Sequence, residues 1–87
     1  MMDPLEGKPE IAYPIEWSYT IIGRDEAAIR AAVCEVLGTT EHSLRFSHAS
    51  RKGTYSSFEL LVEVTSDAQR LDLYTRLAAH DAVRMVL

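Results

Sequence analysis

Ser50-Arg51-Lys52-Gly53-Thr54-Tyr55, running on through Ser56-Ser57-Phe58-Glu59-Leu60-Leu61-Val62-Glu63-Val64, is the stretch that decides the fold. Gly53 can take the positive φ that a tight reversal demands and that other residues resist. From Phe58 onward Phe58, Leu60, Val62 and Val64 point one way, while Tyr55, Ser57, Glu59, Leu61 and Glu63 point the other. This is the period of two that sends successive side chains to opposite faces of a strand. An inward row this rich in large apolar residues belongs at the centre of a sheet. Leu61 alone interrupts the polar row.

On the near side of the turn, Ser43 to Ala49 forms the partner strand of a hairpin, with Leu44 and Phe46 inward and His48 continuing their phase. Farther back, Ile15, Trp17, Tyr19 and Ile21 alternate with Glu16, Ser18 and Thr20, a first strand that Gly23 ends. Asp25 can accept hydrogen bonds from the free amides of a helix start, and Glu26 suits the positive end of its dipole. Ile29, Ala32, Val33, Val36 and Leu37 then recur at i, i+3, i+4, i+7 and i+8, one side of an amphipathic helix that Gly38 stops.

Past the central strand, Ser66 is the expected N-cap of a second helix, with Gln69 placed to complete a capping box. Its apolar side carries Leu71, Leu73, Tyr74, Leu77 and Ala78, and His80 is expected at the negative pole of its end. Ala82 to Leu87 reads as a last strand, with Val83, Met85 and Leu87 in one phase and Arg84 and Val86 in the other. The order strand, helix, strand, strand, helix, strand is the ferredoxin-like split β-α-β plan, an α+β fold. Right-handed crossovers then predict an antiparallel sheet in order 4-1-3-2 with both helices on one face. Residues 15–87 form this single domain. Residues 1–14, broken by Pro4, Gly7, Pro9 and Pro14, are expected to be a flexible lead-in that Tyr13-Pro14 pins to the first strand.

The chain has 87 residues, 47% of them apolar and 25% charged, the proportions of an ordinary soluble domain. A net charge of -4 disfavours broad attraction to phosphate backbones or anionic lipid. No apolar h-region or membrane-spanning run stands in the sequence, so a cytoplasmic protein without a membrane partner is expected. Cys34 is the sole cysteine, which excludes an intramolecular disulfide. It lies round the helix from the apolar stripe with no base placed beside it, so an inert thiol is the better reading. His42, His48 and His80 make no H-x-H or H-x-x-H pair, and no metal or cofactor is expected.

Tyr13-Pro14 before Trp17-Ser18-Tyr19-Thr20-Ile21-Ile22-Gly23, the turn Ser50 to Ser57, Tyr74 and the ending Val83-Arg84-Met85-Val86-Leu87 together resemble the YbeD-like family, small bacterial proteins of unknown function. The resemblance implies a ferredoxin-like domain similar to ACT-type regulatory modules, which bind small effectors or pair through their sheets. It implies no catalysis.

The expected function is therefore a non-catalytic regulatory or interaction module that binds a small effector or a protein partner, a homodimer being among the options. An RNA-recognition-like binder and a purely structural or dimerisation domain are the alternatives. Lys52-Gly53 matches the start of an RNA-recognition third strand, but Ser57 and Glu59 stand where stacking rings belong. Ser50, Arg51, Lys52, Gly53, Tyr55 and Ser57 are the candidate ligand site, an anion-receptive corner set against the bland reading of a solvated hairpin tip. Leu61, Arg84 and Val86 are the candidate contacts on the outer sheet face.

Overall fold

β1 (Ile15–Gly23) and β3 (Ser56–Val64) pair antiparallel over their whole length, from Ile15 opposite Val64 to Gly23 opposite Ser56. Around this pair lie α1 (Glu26–Leu37), β2 (His42–Ala49), α2 (Asp67–Ala79) and β4 (Met85–Val86). The computed structural model describes residues 11–87. Its sheet runs β2-β3-β1-β4, all antiparallel, which from the other edge is the expected order 4-1-3-2. Of the expected lead-in, residues 1–10 lie outside the described part. Its end is tied down: Tyr13 packs on the core, and its hydroxyl donates to Asp67 and accepts from Arg70 Nε at 3.2 Å.

The core is one cluster between the sheet and the two helices. Tyr19 and Ile21 of β1 and Phe58, Leu60, Val62 and Val64 of β3 meet Ile29, Ala32 and Val33 of α1 and Leu73 and Leu77 of α2. Both helices thus cover the same face. Asp25 caps α1 by accepting from Ala28 N at 3.1 Å, and Ser66 caps α2 by accepting from Gln69 N at 3.1 Å. Gln69 returns its side chain to Thr65 N at 2.7 Å, one residue before the expected partner Ser66. Arg70 fastens the base of α2 to β1: its guanidinium lies 4.8 Å over the Trp17 ring, and its carbonyl accepts from the Tyr19 hydroxyl at 2.6 Å.

Several expectations fail at the edges of this frame. The register of β2 against β3 slips by one between Phe46 and His48, a bulge at Ser47 that pairs His48 with Ser57. His48 is therefore on the outer face rather than in the inward phase, because one extra residue reverses every side chain beyond it. The ending is strand only at Met85–Val86, with Val86 opposite the inward Ile21 and 6% exposed. Val86 thus belongs to the core and not to the outer face. Val83 is also buried, because Ala82 sits in a turn before the strand begins and breaks the alternation.

On α2 the buried side is narrower than its apolar composition suggests. Leu73 and Leu77 are buried, but Leu71 and Tyr74 remain 53% and 44% exposed. His80 does not meet the helix carbonyls through its ring. Its Nε2 lies 2.9 Å from Glu35 Oε2 on α1, and its Nδ1 accepts from Ala82 N at 3.1 Å.

Gly23 is required where β1, α1 and the turn before β4 converge. A Cβ there would stand 2.5 Å from the Ala82 carbonyl oxygen and 2.9 Å from Ile29 Cδ1. Backbone cannot yield as a flexible side chain can. Gly23→Ala should therefore lower unfolding stability by about 1–3 kcal/mol, the usual cost of overpacking, read as a lower urea midpoint.

Candidate functional site

With both helices on one side, the opposite face of the sheet is bare. Its rows are Glu16, Ser18, Thr20 and Ile22 on β1, Ser57, Glu59, Leu61 and Glu63 on β3, Ser43, Arg45 and His48 on β2, and Met85 on β4. The β2–β3 turn closes one end of this face. Ser50 organises it: its N–H donates to Tyr55 O at 2.8 Å, its carbonyl accepts from Gly53 N at 2.8 Å, and its hydroxyl accepts from Tyr55 N at 3.0 Å. Gly53 takes φ 70° as the turn demands. Arg51 and Lys52 stand exposed at the tip, whereas Ser57 is buried beside His48.

Tyr55 is the turn residue with geometry suited to a ligand. Arg24 Nη2 donates to its hydroxyl at 3.4 Å, and the guanidinium carbon lies 5.5 Å from its ring centroid. The hydrogen bond and charge of Arg24, with the more distant charge of Arg84, hold the Tyr55 phenol below the usual tyrosine value. Two shallow hollows share Ile22 and Tyr55. One adds His48, Ser50, Ser56 and Ser57, and the other adds Arg84 and Met85.

Arg24, Ile22, His48 and Met85 escaped the sequence reading. The order 4-1-3-2 brings the end of β1 to the start of β3, but it is the register, with Gly23 opposite Ser56, that sets Arg24 against Tyr55. His48 had no signal, because the bulge that turns it outward is not written in the hydrophobic pattern. The proposed face contacts do not assemble. Leu61 lies at the far end with Glu16, Glu41, His42 and Glu63, Arg84 stands at the Tyr55 end, and Val86 is inside.

Other chemistry-bearing groups are scattered. His42 Nδ1 lies 2.7 Å from the Thr40 carbonyl oxygen, and His48 Nδ1 lies 3.2 Å from the hydroxyl of neighbouring Ser47. Cys34 is exposed on α1. Among the described residues no three His, Cys, Asp or Glu side chains gather as a metal-binding group, and no helix is long and apolar enough to cross a membrane.

The fold and face define a class: an α+β ferredoxin-like domain with one uncovered sheet face. The chain belongs to the family described as "Protein of unknown function (DUF493)", whose model matches residues 8–87. It is 35% identical over 75 residues to uncharacterized protein Cj0253 of Campylobacter jejuni, covering 86% of each chain. It is 36% identical over 78 residues to a UPF0250 protein of Shewanella halifaxensis, covering 86% of this chain and 88% of that one. These matches bear out the YbeD-like resemblance. The solution structure of protein HP0495 from Helicobacter pylori superposes with a TM-score of 0.82 over 100% of this chain and 96% of that one, at 22% identity, and so shares the fold.

The tyrosines should titrate apart. Spectrophotometric titration should find Tyr55 ionising below the ordinary value of 10.0, and Arg24→Gln should move that step upward. Burial pushes Tyr19 the other way. Its neutral form is the one the fold favours, so that contribution holds below the ordinary tyrosine value and is lost as pH rises through the raised one.

Proposed function

We propose that the chain is a non-catalytic binding module of the regulatory or interaction kind, which receives a small anionic effector at the corner formed by Arg24, Tyr55 and Arg84. The observation that carries this reading is that Arg24 lies against Tyr55 and Arg84 lines the same hollow, with no carboxylate at ion-pair distance from either among the described residues, Asp25 and Asp81 lining the adjoining hollow. Unspent cations beside a hollow that also offers Ile22 and Met85 suit a carboxylate or phosphate carried on a small apolar body. Arg51 and Lys52 at the turn add long-range attraction in a chain that is otherwise acidic.

Catalysis is the weaker reading because among the described residues no nucleophile sits with an oriented base. Ser47 and His48 touch only as sequence neighbours on an exposed bulge, and among the described residues no third group holds the ring. RNA recognition is weaker still. The middle of the bare face offers Glu59, held by Arg45 at 2.5 Å, and Leu61 where stacking aromatics would be needed.

A nitrogen-15 chemical-shift titration with nucleotides, amino acids and phosphorylated metabolites tests the proposal. A binding effector should shift Ile22, Arg24, Tyr55 and Arg84, and Arg24→Gln with Arg84→Gln should weaken it about tenfold or more, as loss of charge-assisted hydrogen bonds predicts. No movement at those residues with millimolar ligand would sink the reading.

A further inference from the structure

The charges of the bare sheet face are sorted by sign along the strands. β1 shows the pattern by itself: its outward positions run Glu16, Ser18, Thr20 and Ile22, and Arg24 follows beside Tyr55. At the first end stand Glu16, Glu63 and Glu41, around a hollow that Leu61 also lines. At the other end stand Arg24, Arg84, Arg51 and Lys52, with Asp25 and Asp81 in the turns beside Arg24 and Arg84. All are exposed, and none forms an ion pair among the described residues. Between the ends the face is uncharged except for Arg45 and Glu59, which neutralise each other.

Glu16 and Glu63 are also direct cross-strand neighbours. Like charges so placed destabilise a sheet, and a cation arriving from outside relieves them. The chain itself carries such cations on the same face, at a distance its own β1 cannot span.

We infer that a second copy of this chain docks on this face, related by a two-fold axis that lies between the sheets and runs across the strands. Such an axis stacks β1 on β1 in the reverse direction, so that Glu16 and Glu63 of each copy approach Arg24, Arg51 and Lys52 of the other. The alternative axis, parallel to the strands, sets each acidic end on its own counterpart and is disfavoured by repulsion. Ser18, Thr20, Ile22, Leu61 and Met85 supply the neutral middle of the contact.

The size of the face sets the strength. Strands of nine, nine, eight and two residues, spaced about 4.8 Å apart at about 3.3 Å per residue, give roughly 440 Å² per copy and roughly 900 Å² in all. That is the low end of specific interfaces, so the dimer is a weak and reversible one. Exposed charges at its two ends choose the orientation more than they add affinity. The inference does not depend on an effector at the Tyr55 corner, since its acidic half lies at the opposite end of the sheet.

Sedimentation equilibrium of the full chain from about 10 μM to about 1 mM tests it, at about 0.05 M and about 0.5 M salt, across which charge screening strengthens several-fold. A dimer should form in the low-salt series and dissociate toward monomer in the high-salt one. Glu16→Lys alone and Arg24→Glu alone should each weaken it about tenfold, and the double variant should recover most of the loss. A monomer throughout the low-salt series would overturn the inference. So would a dimer indifferent to both single reversals, or one whose dilution-dependent amide shifts are confined to the open edge of β2, which would mean strand-to-strand pairing instead.

Discussion

Nine residues of β1 lie in unbroken register against nine of β3, and the position of every other part follows from that pairing. Because no bulge interrupts it, the inward rows of both strands keep phase, and Tyr19, Ile21, Phe58, Leu60 and Val62 form a continuous apolar floor. The helices have one surface to cover and share it. The same register brings Gly23 beside Ser56, which sets Arg24 against Tyr55. The basic corner is thus a product of the pairing that builds the core. Gly23 itself, lacking a Cβ, lets the Ala82 carbonyl and Ile29 close on the end of the strand.

The strands outside this central pair are held more loosely, and there the alternation of the sequence misleads. β2 has a neighbour on one side only, so the bulge at Ser47 disturbs a single ladder, and it carries His48 from the inner phase to the outer one. β4 is held by β1 alone over two residues, after a turn that resets its phase, so that Val83 and Val86 are both buried although they are three residues apart. Edge strands in general tolerate such irregularity because fewer hydrogen bonds enforce their register.

A domain of this size, in a family of unknown function, presents its options on its surface. The helical side is committed to burying the core. The sheet side carries a charge pattern with direction, acidic around Leu61 and basic around Tyr55. An effector anion and the carboxylates of a second copy would seek the same guanidinium groups. Occupancy by one would therefore oppose the other.

The sequence by itself determined the element order, the ferredoxin-like topology, both helix caps and the central place of the strand after Gly53. Those features follow from local periodicity, turn chemistry and crossover handedness, all of which are written in neighbouring residues. The turn from Ser50 to Tyr55 was legible as a turn, and Tyr55 as a residue of interest. Only the tertiary structure decided that Ser50 spends its groups on the turn, that Arg24 partners Tyr55, and that Val86 lies inside. The Arg24 contact depends on strand register between residues about 30 positions apart, and the burial of Val86 on the turn at Ala82 that resets the phase before β4. Neither leaves a mark in the hydrophobic pattern, because a shift of one residue changes which face a side chain occupies without changing the residues themselves.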